Sequence, residues 1–476
     1  MAKFNFTGDI FFSSISELSA SLRKKEFSTV ELTHAFCDRL EKLGARYNAL
    51  ALSLRDTALR KAKDVDRDFK LDLVRSPLQG IPYGVKDLLA VKGKPTTWGT
   101  KAFAGQVFKE DAQVIELLDK AGAVLIGKLS MVELAGGGGN RYPSASATGA
   151  CLNPWDRTYW SGGSSSGPGT ATAAGLVTFS IGSETSGSIL GPSAYCGITG
   201  LRPTYGLVSR RGAMALAWTL DKIGPMCRSA EDCALVLSVI AGNDYEDPGS
   251  AGKSFHYAPQ FARKPDEITI GYAPVDFDES AAPETRAGFQ EALRVVKSLG
   301  MTMKEVEIPD FPYTALVTTI IAAEGASSFE DFIRTGKVDQ LIEHGQAEGL
   351  RAGLEIPVVD YLRAMRVRAR VQQAFRDLFL DVDFLLAPTK PNIAWKLTDR
   401  LDAPATPPKS RGLSGLIPAG NLAGLPALSL PCGFASGLPI AISLVGRPFY
   451  ENQLIAVGKA FQSHTDWHRK RPPVTE

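Results

Sequence analysis

Two glycine- and serine-rich stretches decide how this sequence is read: Ser161-Gly-Gly-Ser-Ser-Ser-Gly-Pro-Gly169 and Gly182-Ser-Glu-Thr-Ser-Gly-Ser-Ile189. Glycine permits positive φ and lets a ligand approach the main chain closely. Consecutive backbone N–H groups in such a turn form a nest that binds anions. Hydroxyl groups beside a nest suggest acyl transfer. A flexible linker is the alternative, but the apolar residues 171–181 between the stretches argue against it.

Short apolar strands and helices alternate on both sides of these stretches. Helical spacing over Asp111–Ala121 precedes a strand at Val124–Ile126. The same order returns with a strand at Ile268–Tyr272, a helix over Glu284–Leu299 and a strand at Met303–Ile308. This alternation predicts an α/β fold with a large twisted mixed β-sheet, covered by helices on both faces.

The ends of the chain and its middle suggest how the domain is organised. Ser14-Ile-Ser-Glu17 and Ser28-Thr-Val-Glu31 are capping boxes, which predict peripheral helices within residues 10–75. Residues 311–381 are more charged and predict a helical insertion or cap. The length of 476 residues allows two or three units. Because no repeat or low-complexity linker divides the chain, we expect one domain over residues 1–476.

The charge balance and composition limit the partners that we expect. The 53 basic residues nearly cancel the 51 acidic ones, which argues against nucleic-acid and membrane partners. Residues 158–201 and 412–446 are poor in charge, but their glycines, serines and prolines argue against membrane spans. No export signal is visible, so we expect a cytoplasmic protein. The six scattered cysteines lack C-x-x-C spacing and predict no metal site.

A serine nucleophile needs a base, and the sequence offers a lysine for that role. None of the five histidines lies in a glycine/serine turn. Lys86 instead lies inside an apolar, strand-like run, where burial can lower its pKa and supply a neutral amine. Considered alone, Lys86 is better explained as the ion-pair partner of a neighbouring acid than as a catalytic base. The two serine-rich turns reverse this preference and favour the catalytic base. Phosphate binding is disfavoured because no G-x-x-x-x-G-K-[ST] motif occurs.

These segments, in order, resemble the amidase signature family. The resemblance includes Cys196-Gly-Ile-Thr-Gly-Leu-Arg-Pro-Thr-Tyr-Gly206 and Asn421-Leu-Ala-Gly-Leu-Pro426, and it extends from about Ser14 to about Pro472. It implies the amidase signature fold and a Ser-cisSer-Lys catalytic triad. The matching positions make Ser188 the nucleophile, Ser164 the proton bridge and Lys86 the base.

The resemblance also implies the surroundings of the triad. The backbone N–H groups expected to form the oxyanion hole belong to Thr185, Ser186, Gly187 and Ser188. The residues expected near the substrate are Ala135, Gly136, Gly137, Gly138 and Ser165. The run of glycines predicts an open site mouth that admits bulky substrates, and a close-packed turn is the alternative.

The expected reaction is hydrolysis of a small-molecule amide, ester or carbamate through an acyl-enzyme. No cofactor and no metal are required by these steps, and the chain is expected to act as a monomer or homodimer. Three features depart from the family pattern: Glu184 replaces the usual Asp, Leu190 replaces the usual Arg, and the first serine run reads Ser-Ser-Ser-Gly-Pro where Ser-Ser-Gly-Gly is usual. Because of the first two, an acid–arginine pair near the nucleophile turn is in doubt. Ser166 and Pro168 should stiffen the turn of the first serine run.

Two further functions stay open at this point. A glutamine-hydrolysing A-type subunit of a tRNA-dependent amidotransferase is suggested by residues 204–209 and 220–224, which are similar to those subunits. Residues 355–363 instead resemble stand-alone amidases, and an Arg-Arg-Ile-Gly-Thr type of segment is missing. An inactive binding protein on an amidase scaffold is the other alternative. We expect the stand-alone amidase.

Overall fold

One large mixed β-sheet organises the computed structural model, which describes residues 8–137, 142–399, 412–413 and 415–473. Within these residues eleven strands pair in the order β1-β3-β2-β4-β6-β5-β10-β11-β9-β7-β8. They are β1 (Leu50–Ser53), β2 (Pro82–Lys86), β3 (Val124–Leu129), β4 (Phe179–Glu184), β5 (Thr199–Arg202), β6 (Lys222–Cys227), β7 (Thr269–Tyr272), β8 (Thr302–Glu305), β9 (Phe384–Pro388), β10 (Ala427–Ala435) and β11 (Leu438–Gly446).

Parallel and antiparallel pairs coexist in this sheet, as the sequence predicts. β2 lies between β3 and β4 and is parallel to both, while β10 and β11 form a long antiparallel hairpin. In the β2–β4 pair, Tyr83 faces Phe179 and Val85 faces Ile181. The carboxyl ends of these parallel strands therefore meet at one edge, where ligand sites of α/β sheets form.

Helices cover both faces of the sheet. They are α1 (Ile15–Arg23), α2 (Thr29–Gly44), α3 (Arg55–Lys70), α4 (Gln113–Lys120), α5 (Ser166–Ala173), α6 (Leu190–Cys196), α7 (Ala230–Ile240), α8 (Arg286–Ser298), α9 (Tyr313–Ser328), α10 (Glu330–Arg334), α11 (His344–Leu354), α12 (Val358–Leu378), α13 (Leu416–Ala423) and α14 (Glu451–Ser463). None of the helices in the described ranges has both the length and the hydrophobicity needed to cross a membrane.

The two capping boxes begin helices as predicted. The Ser14 hydroxyl accepts a hydrogen bond from the backbone N–H of Glu17, whose carboxylate accepts from the backbone N–H of Ser14. Ser28 and Glu31 make the same reciprocal pair at the start of α2. Each box satisfies N–H groups that a helix start leaves without partners.

The core continues from the sheet into the helices that follow β8. Nearly every side chain of β10 and β11 is buried. A second apolar cluster joins Ile320 of α9, Val371 and Phe375 of α12, and Leu422 of α13. Helices α9 to α12 fill the segment between β8 and β9. Residues of α9 and α11 line the same cavity as the second glycine/serine stretch.

Candidate active site

Lys86 is the last residue of β2 and is completely buried. Its Nζ donates hydrogen bonds to Ser164 Oγ at 2.7 Å and to Ser183 Oγ at 3.0 Å. Burial lowers the pKa of Lys86 to about 7, although the charges of Asp221 and Glu184 oppose this shift. A large share of this amine is therefore neutral near neutral pH.

Lys86 does not form the ion pair with the acid that follows it in sequence. Asp87 pairs with Lys128 Nζ at 2.7 Å, and both of these side chains are buried. Because Asp87 is taken up by Lys128, Lys86 is left to contact the two serines. The alternative that treats Lys86 as an ion-pair partner of this acid is wrong.

Ser164 lies against Lys86 at the start of the turn that leads into α5. The peptide bond between Gly163 and Ser164 is cis, and the Ser164 side chain is completely buried. The Ser164 carbonyl accepts a hydrogen bond from the backbone N–H of Val132 at 3.2 Å. A Cβ at Gly163 would come within 2.7 Å of the Val132 side chain, so the turn has no room there for a larger residue.

Ser188 lies on the turn between β4 and α6 and lines a large cavity. Its carbonyl accepts a hydrogen bond from the backbone N–H of Ser165 at 3.3 Å. In the described ranges, no hydrogen bond joins the hydroxyls of Ser164 and Ser188. The structure thus contains the Lys86–Ser164 contact, with Ser188 on the neighbouring turn at the cavity wall.

The turn between β4 and α6, which carries Ser188, contains backbone N–H groups without hydrogen-bond acceptors. Across the described part of the chain, none of the N–H groups of residues 185–188 donates a hydrogen bond to the protein. The next two N–H groups, of Ile189 and Leu190, donate to Glu184 Oε2 at 2.9 and 3.0 Å. This arrangement offers free N–H groups to an oxygen that gains negative charge beside Ser188.

Glu184 does form an acid–arginine pair, with an arginine from another segment. Arg202 Nη1 lies 2.9 Å from Glu184 Oε1, and both side chains are completely buried. Asn421 Nδ2 donates to the same oxygen at 2.8 Å. Burial opposes ionisation, but the Arg202 charge and the hydrogen bonds lower the pKa of Glu184 to about 2. The doubt raised by Leu190 is resolved because Arg202 from β5 supplies the cation.

Sequence reasoning missed two residues of this site, Ser183 and Asp221. Ser183 Oγ is the second acceptor for Lys86 Nζ, and the only signal was its place in the second serine-rich stretch. Asp221 Oδ1 accepts a hydrogen bond from Thr185 Oγ1 at 2.6 Å, while its other oxygen accepts from two backbone N–H groups. Asp221 therefore holds the turn that carries the free N–H groups.

The expected substrate-binding residues divide into two groups. Ala135 and Gly136 line the cavity, whereas Gly137 is buried and Gly138 lies outside the described residues. Ser165 is completely buried, and its hydroxyl donates to the Ser183 carbonyl at 3.1 Å. Ser165 thus braces the two serine turns against each other.

The cavity beside Ser188 has a volume of about 1210 Å³. Its apolar wall includes Leu190, Leu216, Val317, Ile321, Ala322, Leu416 and Ile417. Its charged lining residues are Arg202, Asp276, Glu279, Arg286 and Lys390. A mostly apolar wall with a few charged groups is typical of a small-molecule site.

Comparison with known protein families gives a match over most of the chain. A family model described as Amidase matches residues 31–455. The A-type subunit of glutamyl-tRNA(Gln) amidotransferase from Geobacter sp. (strain M21) is 35% identical over 493 residues, which cover 98% of this chain and 100% of the relative. The corresponding protein from Dechloromonas aromatica (strain RCB) is 36% identical over 485 residues, or 96% and 98% of the two chains.

Solved structures share this fold across nearly the whole chain. The native peptide amidase of Stenotrophomonas maltophilia superposes with a TM-score of 0.84 at 28% identity, covering 97% of this chain and 98% of that one. A vestigial protein complex linked to the evolutionary origins of an s-triazine catabolic enzyme includes a chain with a TM-score of 0.86 at 29% identity. That match covers 95% of this chain and 98% of the other.

Proposed function

This chain belongs to the amidase signature family, and on that premise we propose that it hydrolyses the C–N bond of a carboxamide through an acyl-enzyme on Ser188. The observation that carries the proposal is the 2.7 Å contact between Lys86 Nζ and Ser164 Oγ, next to the turn that presents Ser188 to a cavity. A depressed lysine pKa gives this contact a neutral amine that can accept a proton.

In the first half-reaction, the Ser188 oxygen attacks the carbonyl carbon of the substrate. The Ser188 proton passes to Ser164, and the Ser164 proton passes to the neutral amine of Lys86. The carbonyl oxygen becomes an oxyanion and accepts hydrogen bonds from the free N–H groups of residues 185–188. The C–N bond then breaks, and the departing nitrogen takes a proton by the reverse path.

In the second half-reaction, water replaces the departed amine. The same relay takes a proton from water as its oxygen attacks the acyl carbon. The C–O bond to Ser188 breaks, which releases the carboxylic acid and returns the proton to Ser188. Esters and carbamates present the same carbonyl to Ser188, so they are substrates of the same chemistry.

For the identity of the amide, our first candidate is a small molecule with a bulky apolar part, cleaved in the cytoplasm by a stand-alone monomer or homodimer. The cavity of about 1210 Å³ supports this candidate. Residues such as Val317, Ile321 and Leu416 give its wall an apolar character that suits an aryl or alkyl group.

The second candidate is glutamine, hydrolysed by this chain as the A-type subunit of a tRNA-dependent amidotransferase. The curated relatives favour this candidate over the first, because A-type subunits of glutamyl-tRNA(Gln) amidotransferase match at 35–36% identity over nearly their whole length. Under this candidate the chain works with partner subunits, and the ammonia released from glutamine is passed on.

Measuring both products with the purified chain distinguishes the candidates. Release of 4-nitroaniline from acetyl, hexanoyl and benzoyl 4-nitroanilides, with no ammonia from glutamine, supports the first candidate. Ammonia release from glutamine without anilide cleavage supports the second. Both activities should disappear in the variant Ser188→Ala. Absence of both activities, together with no labelling of Ser188 by a fluorophosphonate, would favour the inactive binding protein.

A further inference from the structure

A lysine without a partner lines the same cavity as Ser188. Lys390 follows β9 in the segment Pro388-Thr-Lys-Pro391 and is half-buried. Within the ranges that the structure describes, its Nζ has no hydrogen-bond or ion-pair partner. Burying a cation in a largely apolar wall costs free energy unless a hydrogen-bond acceptor or an anion pairs with it. The proposed reaction gives Lys390 no role.

The position of Lys390 brings its side chain close to the nucleophile turn. A Cβ at Gly191 would lie 3.5 Å from the Lys390 Cε atom, so the end of this side chain passes over the first turn of α6. Gly191 comes three residues after Ser188. The ammonium group is therefore carried to the end of the cavity where the substrate carbonyl must bind.

A second donor, on a residue that lines the same cavity, also lacks an acceptor, but it is closed to solvent. Arg202 Nη2 is buried without a hydrogen bond, although Arg202 Nη1 pairs with Glu184 and its Nε donates to the Leu425 carbonyl. Arg202 lines the cavity as well. The Glu184 charge acts to raise the pKa of Lys390, but Glu184 makes no ion pair with it in the described structure. The Glu184 oxygens already accept from Arg202, Asn421 and two backbone N–H groups.

The remaining charged groups of the cavity do not pair with Lys390. Among the described contacts, Asp276 Oδ2 accepts from the Leu413 backbone N–H, while Asp276 Oδ1 is buried without a hydrogen bond and makes no ion pair with Lys390. Arg286 Nε donates to the Ala281 carbonyl. Glu279 also lines the cavity and has no ion pair with Lys390 in the described structure. A ligand group is thus left to supply the acceptor.

We propose that Lys390 forms a subsite for a carboxylate, so that the preferred substrate is an amide that also carries a carboxylate group. Charge-assisted hydrogen bonds to a carboxylate are among the strongest that side chains make. The inference rests on the proposed amide hydrolysis, and it fits both candidates because glutamine also has a carboxylate. Burial lowers the pKa of Lys390. A bound carboxylate would raise that pKa and hold the lysine charged.

The kinetic test compares two amides of the same shape. Succinic acid mono-4-nitroanilide carries a carboxylate, and 4-methylpentanoic acid 4-nitroanilide carries an uncharged group of the same branching in its place. We expect Lys390→Met to lower kcat/KM for the succinyl anilide about tenfold or more, relative to the uncharged anilide. Lys390→Arg should restore part of the preference. Lys396→Met, at an exposed lysine outside the cavity lining, is the matched control and should leave the ratio unchanged.

A binding test separates this inference from the proposed reaction, because it needs no turnover. In the Ser188→Ala background, calorimetry should detect tighter binding of succinamate than of 4-methylpentanamide, and the added change Lys390→Met should remove the difference. That result supports the subsite even if no anilide is cleaved. Equal binding of the two amides, or a preference that survives Lys390→Met, would overturn the subsite while leaving amide hydrolysis intact.

Discussion

Lys86 Nζ lies 2.7 Å from Ser164 Oγ, and both side chains are completely shielded from solvent. Because water does not stabilise the ammonium form there, burial favours the neutral amine. In the proposed mechanism, Ser164 passes the proton between this buried base and Ser188, which lines the cavity.

The pH dependence of turnover should follow the ionisation of the catalytic base, Lys86. Burial lowers the pKa of Lys86 to about 7, so the active neutral form decreases as pH falls below that value. We expect kcat/KM for an uncharged amide to decrease about tenfold per pH unit below pH 7 and to level off above it. A pH series with 4-nitroacetanilide measures this profile. A rate that falls above neutrality would point to a different base.

Replacing both Lys86 and Ser164 should lower kcat no more than replacing one of them. Lys86→Ala and Ser164→Ala should each lower kcat by about two orders of magnitude or more, and the double variant should lie close to the worse single variant. The reason is that a proton transfer chain fails once either member is missing. Circular dichroism checks folding of each variant, and losses that multiply in the double variant would contradict a shared relay.

Loss of the Glu184 charge should destabilise the protein. Glu184→Gln leaves Arg202 buried without its counter-ion, which we expect to reduce the free energy of unfolding by about 3–5 kcal/mol. Denaturant unfolding measures this change. Glu330→Gln is the control, because the Glu330–Arg334 pair is exposed, and its loss should cost less than about 1 kcal/mol. Equal effects of the two variants would show that the buried pair is not structural.

Narrowing the cavity should discriminate between substrates by size. Ala322→Trp places a bulky ring on the cavity wall of α9, where the backbone is regular helix. We expect KM for a benzoyl anilide to increase about tenfold or more, while the acetyl anilide is nearly unaffected. Ala315→Trp, on an exposed position of the same helix, is the control. An equal loss for both substrates would indicate damage to the fold. Position 136 suits this test less well, because Gly136 has φ +91°.

The parts of the fold that depend on local sequence were predicted well. The helix expected over Asp111–Ala121 is α4, and the strand expected at Val124–Ile126 is the first half of β3. Apolar spacing and capping residues determine such elements within a few turns of chain. The order of the strands was not predictable in this way, since β5 pairs with β10 from the far end of the sequence.

The candidate site likewise contains residues that the sequence identified and contacts that only the folded structure reveals. The triad positions were assigned by resemblance, and the structure brings Lys86 into contact with Ser164, while their catalytic roles stay predictions. The Glu184–Arg202 pair could not be read from the sequence, because β4 and β5 are separated in the sheet by β6. Lys390 carried no motif, and only its place in the folded cavity wall draws attention to it.

The most direct test of the account is to identify the residue that carries the acyl group. Purified protein is mixed with an activated 4-nitrophenyl ester, quenched within the first turnover, digested and analysed by mass spectrometry. We predict the mass of the acyl group on the peptide that contains Ser188, and a loss of amide turnover of about three orders of magnitude or more in Ser188→Ala. An acyl group found on another residue, or full turnover by Ser188→Ala, would contradict the account.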